Sequence, residues 1–497
     1  MSSVKINIIS NYLGSGWCAL MGVVFLPFYI KLMGAEAYGI VGIFVSLQAI
    51  FAVLDLGLSQ TLNREVARLS IDDRNAGLMA DTARTLEIIY WGIAIALVVI
   101  IVLSADFIAL DWLKSEQLPE ETLIEALWVI AVVVGLRWPI ALYMGGLNGL
   151  QRQISVNILL AIFATLQGAG SLAVLSFIEP TLRAFFSWQA LVALLQVVAF
   201  RTIFWRRLAS PQPGSFQNDV LKEIWRFAAG VSGISILAII LTQLDKVILS
   251  KLLTLSDFGY YTFAATVASV LYRLIGPVFT AYYPKLTEHV SNKATYLISS
   301  DYHHGSQLMA VVVLPLALTL AFFSREILEL WTGDSDIVMH SYLLVSLLAI
   351  GNALNGLMHM PYALQLAHGW TRLAFYSNVV AVIALVPAII AATSHWGPAG
   401  AAGVWVLLNC GYLLVGIQLM HRRFLKTEKW SWYIHDAGKP MLLVFIIAAV
   451  GHVIIDDDMQ GLPVLVILAS VFLLTSLGAI GVSPFIRHRL WQLLSRS

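Results

Sequence analysis

The sequence predicts an all-α polytopic membrane protein, built as two pseudo-repeated halves of six helices with two further transmembrane helices at the C-terminus. Three observations carry this. Of the 497 residues, 59% are hydrophobic and only 12% charged, about half the charged share of a soluble domain. The apolar residues fall in runs near the ~20 residues that cross a bilayer. One short motif occurs twice, at 31–39 and at 251–259.

Fourteen apolar spans are predicted, over 8–33, 38–62, 86–110, 123–146, 154–178, 183–204, 227–249, 259–281, 304–328, 338–364, 374–394, 399–420, 440–455 and 462–484. The thirteenth is short. No stretch between them is long enough for a soluble domain. The first is followed at once by others and so reads as an anchor, not a cleaved signal peptide. Cys18 and Cys410 both lie in apolar runs, and no disulfide is expected.

The basic residues set the orientation. With the N-terminus inside, 22 of the 30 Lys and Arg lie in cytoplasmic segments and five in outer ones: Lys31, Lys114, Arg183, Lys251 and Arg325. Three, Arg137, Lys246 and Arg273, are counted within spans, while Lys31, Arg183, Arg201 and Arg325, at span ends, are counted with the adjoining segments. This is the positive-inside pattern, and it predicts that both termini are cytoplasmic. Trp112, Trp331 and Trp396 read as interface anchors.

KLMGAEAYG (31–39) and KLLTLSDFG (251–259) share Lys, Leu and Gly and join a span to the next by the same short turn. The pairing maps the first span onto the seventh and the second onto the eighth. The predicted domains are an N-terminal lobe over 1–205, a cytoplasmic linker over 206–226 acting as a hinge, a C-terminal lobe over 227–421, and a loop, two spans and a basic tail over 422–497. Repeated halves are typical of transporters, which bind substrate between the halves and rock one against the other.

Charges inside spans are expensive and so face a cavity or a partner. Asp55, Arg137 and Arg273 each lie about 21–26 Å of helix in from the outer end of their span, which places them in one layer on the cytoplasmic side of the midplane. Helical spacing puts Thr262, Thr266, Ser269, Arg273 and Thr280 on one face. Gln48, Asp55 and Ser59 share another, Asn352, Asn355 and His359 a third, and Ser235, Thr242 and Lys246 a fourth. Asp245 and Lys246 are neighbours in sequence, about 100° apart on the helix, and cannot be assumed to pair. Each residue also has a plainer reading. Asp55 serves as a structural partner for an arginine, Lys246 snorkels, His359 packs, and Arg64 and Arg68 set topology. If the layer faces a groove, two arginines against one aspartate predict an anionic ligand group, with Asp55 keeping the arginines oriented in the empty site. Arg137, Arg273, Lys246 and Arg64 are then the candidate binding cations. Asp55, Asp245, Gln48, Ser59, Thr262, Thr266, Ser269, Asn352, Asn355 and His359 are polar or coupling residues of the cavity. Pro139, after Arg137, and Pro277, after Arg273, allow bends near the site.

No GxxxxGK[ST] loop occurs, so any pumping draws on an ion or substrate gradient. No Cys/His cluster has metal spacing, and His303 and His304 read as solvated loop residues. No catalytic triad can be argued, and no nucleic-acid partner or cofactor is expected. The chain is expected not to be an enzyme.

The G-A-E-x-Y-G turn after the first span, LDLGLSQTLNREVAR (54–68) and RWPIALYMGGLNGLQRQ (137–153) resemble the polysaccharide-export branch of the multidrug/oligosaccharidyl-lipid/polysaccharide exporter superfamily. Within that branch the nearest likeness is to Wzx-type flippases of lipid-linked O-antigen repeat units. The resemblance covers essentially the whole chain. It implies a V-shaped pair of lobes in the bacterial cytoplasmic membrane. It implies an undecaprenyl-pyrophosphate-linked glycan moved from the inner to the outer leaflet, with the pyrophosphate at the arginine layer and the glycan on the Ser, Thr, Asn and Gln stripes. A polysaccharide polymerase, a chain-length regulator and a proton or sodium gradient are the partners it suggests beside the lipid bilayer. The first span carries no charge between Lys5 and Lys31, unlike drug exporters and murein-precursor flippases of the superfamily. Fourteen spans exceed the twelve usual for the O-antigen group. Two alternatives stay open: a cation-coupled small-molecule exporter, and a membrane enzyme or assembly factor of polysaccharide synthesis.

Overall fold

The computed structural model describes residues 3–70, 75–208, 214–219, 241–456 and 459–488. Every regular element among the described residues is helical, as lipid requires, because a helix satisfies its own backbone polar groups. Eleven of these helices are long and apolar enough to cross a membrane. Ala35–Phe51 is a shorter apolar helix. Thr371–Arg423 covers two of the predicted spans. Of the predicted seventh span only 241–249 lies within the described residues, so Ser235 lies outside them. By packing, the chain divides into two units, 1–259 and 260–497, one span later than the polar linker.

The first unit holds α1 (Ser3–Val24), α2 (Leu26–Met33), α3 (Ala35–Phe51), α4 (Leu58–Leu69), α5 (Ala76–Phe107), α6 (Glu120–Arg137), α7 (Ile140–Gly149), α8 (Gln153–Phe177) and α9 (Leu182–Leu208). A helix over 241–252, α10, completes it. Several predicted spans are broken, and the breaks have local causes. Pro27 sits in the first turn of α2, where its missing N–H is no loss. Pro139 stands just before α7, as its N-cap, at the bend from α6. The predicted second span stops at Phe51, passes through a 3-10 turn over Ala52–Asp55 and restarts at Leu58. Asp55 therefore sits at a break in the helix and not along a continuous one.

The core of this unit packs α4, α5, α7 and α9 through Leu62, Val66, Leu86, Tyr90, Tyr143, Leu147, Phe200 and Phe204. Glu87 of α5, 2% exposed, is its polar hub. Its carboxylate accepts hydrogen bonds from Arg84 (2.5 Å), Arg201 (2.8 Å), Trp205 (3.1 Å) and the Tyr143 hydroxyl (2.7 Å). A buried carboxylate is tolerated only with such partners.

The repeated motif has a packing reason. A Cβ on Gly39 would run into the backbone oxygen of Leu255, and one on Gly259 into that of Ala35. The two turns meet backbone to backbone, which only glycine allows. The segment 112–118 straps them. Lys114 O accepts from Leu255 N (2.8 Å), Lys114 Nζ donates to Leu252 O (2.9 Å), and Trp112 Nε1 donates to Ser250 Oγ (3.0 Å). The buried Glu36 carboxylate accepts from the backbone N–H groups of Glu116, Gln117 and Leu118 at 2.7–3.2 Å. The described part of the linker is likewise held. Asp81 of α5 accepts from Ser215 N (2.6 Å), and the Thr85 hydroxyl from Gln217 N (3.0 Å). Over 214–219 the linker is thus held against α5.

The second unit receives the end of α11 (Leu255–Ala268) and holds α12 (Val270–Ser291), α13 (Thr295–Phe322), α14 (Ser324–Thr332), α15 (Ser335–Leu357), α16 (His359–Ala367), α17 (Thr371–Gly411), α18 (Ile417–Arg423), α19 (Lys439–Ile454) and α20 (Leu462–Val482). Helix α13 is its centre, with α12, α15, α19 and α20 packed around it. The core includes Tyr302, Met309, Val313, Phe323, Met360, Trp432, Val444 and Val471. The two predicted spans within α17 are separated at Gly397 (φ 57°, ψ −145°), a conformation essentially confined to glycine. The thirteenth span is longer than its apolar run suggests, because Lys429–Ile454 opens with a π-helical turn over Trp432–Gly438. The last two spans pack on α13 as part of this unit. Exposed side chains such as Leu103, Phe177 and Val453 present the outside to lipid.

Candidate functional site

The break between α3 and α4 opens a cavity of about 460 Å³ in the first unit. Gln48, Phe51 and Ala52 line it from α3 and the turn, with Asp55 and Ser59 from the break and the start of α4. Tyr90 comes from α5, and Val134, Arg137, Trp138 and Ala141 from α6, α7 and the bend between them. Four residues singled out from sequence, Gln48, Asp55, Ser59 and Arg137, thus meet at one cavity. Helical spacing placed the first three on one face, and the shared depth of Asp55 and Arg137 did the rest.

Asp55 does not pair with an arginine. Leu56 (φ 47°) and Gly57 (φ 79°) turn the chain out of the helix, and the carboxylate is directed at the new helix start. Its Oδ1 accepts from Ser59 N (3.4 Å) and from the Tyr90 hydroxyl, and its Oδ2 from the Ser59 hydroxyl (2.9 Å). A carboxylate at a helix N-terminus satisfies orphan N–H groups and meets the positive end of the dipole. That replaces the expected role of holding the arginines.

Arg137 is the last residue of α6. One terminal nitrogen donates to Gln189 Oε1 at 2.5 Å, and Gln189 in turn donates to Ser171 Oγ at 2.9 Å. The guanidinium lies over the Phe44 ring, 5.2 Å from its centroid. Its Nε is buried and has no hydrogen-bond partner, as is also true of Trp138 Nε1. Among the described residues no carboxylate lies within 4.0 Å of it. A guanidinium carries five donors, and this one is met only by a neutral amide and an aromatic face. The cavity wall therefore presents one cation without a counter-ion beside one carboxylate already held by neutral donors.

The remaining predicted residues divide. In the second unit Arg273 is exposed, on a stripe with Ser269, Gly276 and Thr280, and it has no ion-pair partner among the described residues. Thr262 is buried, 5% exposed, and its backbone oxygen accepts from Thr266 Oγ1 at 2.8 Å. Asn352 is a buried clamp, donating to Ala268 O (3.0 Å) and accepting from Tyr272 (3.1 Å) and Trp405 (2.9 Å). Asn355 donates to Asn409 (2.8 Å), and His359 contacts Asn355 O (3.0 Å) and packs edge-on against Phe279. His359 thus takes the packing reading, while Asn352 and Asn355 are held by side chains of neighbouring helices. Lys246 and Asp245 pair at 3.4 Å, a contact their spacing left open, and Lys246 also bends back along its own helix to Thr242 O (3.1 Å). Lys246 borders a separate, mostly apolar cavity with Trp112 and Phe258. Arg64 is largely exposed and lies 3.7 Å from Glu65.

Three residues that position the site or its surroundings were not singled out from sequence. Tyr90 is a tyrosine in an apolar run with no periodic signal. Gln189 reads as a stray polar residue in its span. Glu87 carried a usable signal, a carboxylate within a predicted span. His303 and His304 also correct the sequence reading. They lie in α13, and His303 is 4% exposed.

A Shigella flexneri protein named "Putative O-antigen transporter" is 20% identical over 405 residues, 82% of this chain and 94% of the relative. Among solved structures, the lipid II flippase MurJ in an inward closed conformation aligns with a TM-score of 0.71 at 14% identity, over 95% of this chain and 98% of the other. An inward-facing multidrug resistance MATE family transporter of the MOP superfamily aligns with a TM-score of 0.67 at 15% identity, over 83% and 96%. A MOP superfamily transporter from Pyrococcus furiosus, described as having a binding pocket of reverse polarity, aligns at 0.56 and 16%, over 85% and 95%. The structural likenesses show that the chain shares the fold of these proteins. The proteins named here are transporters and a flippase, in agreement with a chain that is no enzyme. Residues 4–290, more than half of the chain, match the family model described as polysaccharide biosynthesis protein, and the chain belongs to that family of multi-pass membrane proteins.

Proposed function

We propose that this protein moves a lipid-linked oligosaccharide, of the undecaprenyl-pyrophosphate-linked O-antigen type, from the cytoplasmic to the outer leaflet of the bacterial inner membrane. The observation that carries the reading is Arg137, a membrane-embedded guanidinium lining a cavity, with no carboxylate of the described residues beside it. A phosphate oxygen is the complement such a group lacks. Gln48 and Ser59 in the same wall suit sugar hydroxyls. Arg273, exposed on its stripe, is proposed as a second cation met by the substrate. Family membership and the O-antigen relative support the substrate class. The cavity is read as opening first to one side of the membrane and then to the other. Asp55 is the carboxylate through which a proton or sodium gradient would act.

The test is complementation of a deletion strain. Arg137→Ala and Arg273→Ala are expected to abolish surface glycan and leave lipid-linked repeat units accumulating, at unchanged protein level in the membrane. Arg137→Lys, which keeps the charge and loses the fork, is expected to retain part of the activity. Normal surface glycan from Arg137→Ala would overturn the anionic-site reading. Normal glycan in the deletion strain itself, with drug hypersensitivity instead, would favour a small-molecule exporter.

A further inference from the structure

His303 of α13 is buried, and each of its ring nitrogens faces a carboxylate from outside that helix. Nδ1 lies 2.5 Å from Asp436 Oδ2, in the π-helical turn before α19, and Nε2 lies 3.2 Å from Glu428 Oε2. Asp436 is 1% exposed, and its other oxygen accepts from Gln307 Nε2 at 2.9 Å. Gln307 Oε1 accepts from the backbone of Phe485 at 3.0 Å, beyond α20. Trp432 Nε1, in the same turn, donates to Ser306 Oγ at 3.1 Å.

The geometry fixes a proton count. A neutral imidazole has one N–H and one lone pair, and a carboxylate only accepts. With a carboxylate on each side, a neutral ring always sets a lone pair against a carboxylate oxygen. The arrangement is complete only when one more proton is shared among the three groups, with the ring as imidazolium donating to both sides. The charged groups around it do not remove the need. Beside the site stand His421 (3.2 Å from the Tyr302 hydroxyl), His435 and Lys429. His304, next along α13, is turned to Ser300 O (2.7 Å) and the Phe485 ring. None of them comes between His303 and its two carboxylates.

We propose that His303, Asp436 and Glu428 form a proton-binding site whose occupancy clasps the 424–438 turn, and through it the last two helices, against α13. Glu428 is partly exposed, with 31% of its side chain accessible, and is the path by which the proton exchanges with water. Loss of the proton leaves Nε2 as a lone pair facing Glu428, which repels it, while Nδ1–H still donates to Asp436. Glu428 then swings out. Its backbone also anchors the turn, accepting from Trp432 N (2.9 Å) and donating to Leu425 O (3.0 Å), so the turn loosens with it.

The experiment is hydrogen–deuterium exchange on the full chain in lipid nanodiscs, from about pH 6 to about pH 9, the range around the ordinary histidine value. Intrinsic exchange rates are corrected for pH. In the wild type, protection of 424–438 is expected to fall by roughly tenfold or more as pH rises through the site, while peptides from α3 and α4 show no step. Glu428→Gln supplies an amide donor to the Nε2 lone pair, so it is expected to stay protected across the whole range. His303→Gln is expected to be weakly protected without a step. Protection of the wild-type turn that does not change with pH overturns the proposal, as does a step that survives in Glu428→Gln. Those two proteins decide the matter even if His303→Gln fails to fold.

Discussion

Arg137 and Asp55 illustrate what single residues contribute. Reading charges inside spans as cavity or partner groups brought both to notice, and periodicity placed Gln48 and Ser59 with Asp55. What could not be read was the pairing. Asp55 is held by Tyr90 and Ser59 because the helix breaks beside it, and the break depends on the positive φ of Leu56 and Gly57, which no apolar run announces. Tyr90→Phe is therefore expected to lower stability by about 1 kcal/mol, the net worth of one hydrogen bond, read as a modest fall in unfolding temperature with transport retained. Asp55→Asn keeps an acceptor for Ser59 and Tyr90. It should fold normally and lose the dependence of transport on an ion gradient; unchanged gradient dependence would remove Asp55 from that role. Glu87→Ala leaves Arg84 and Arg201 without their shared carboxylate and opens a buried gap. It is expected to destabilise the first unit by about 2–4 kcal/mol, seen as reduced membrane level.

At the scale of elements, apolar runs located the helices well, because bilayer thickness fixes their length. They located breaks poorly, since Phe51, Arg137 and Ala268 end helices inside runs that remain apolar. The repeated turns show a sequence signal explained by packing. Their shared glycines stand where Gly39 meets Leu255 and Gly259 meets Ala35. Gly39→Ala is expected to force the backbones apart, at about 1–3 kcal/mol or more, and to depress both protein level and transport. Wild-type behaviour of that variant would show that the turns need not touch. Asn352 and Asn355 mark the limit of facing arguments. Helical spacing finds a polar face, but neighbouring helices decide whether it turns to water or to Trp405 and Asn409.

For the whole molecule, composition alone required the bilayer as solvent, and the family match agrees with the resemblance carried by the LDLGLSQTLNREVAR and RWPIALYMGGLNGLQRQ segments. The two last spans, an addition by sequence, pack on α13 within the second unit. The His303 cluster that joins them there was hidden, because His303 lies more than 120 residues from both Glu428 and Asp436. The central claim concerns direction and cargo, and one measurement addresses it. In a strain lacking the gene, polyprenyl-pyrophosphate-linked repeat units would be extracted and assigned to a leaflet. The account predicts that they accumulate on the cytoplasmic side, that surface polysaccharide is lost, and that the wild-type gene but not Arg137→Ala restores both. Repeat units reaching the outer leaflet unpolymerised in the absence of the protein would contradict it, and would place its action after the crossing.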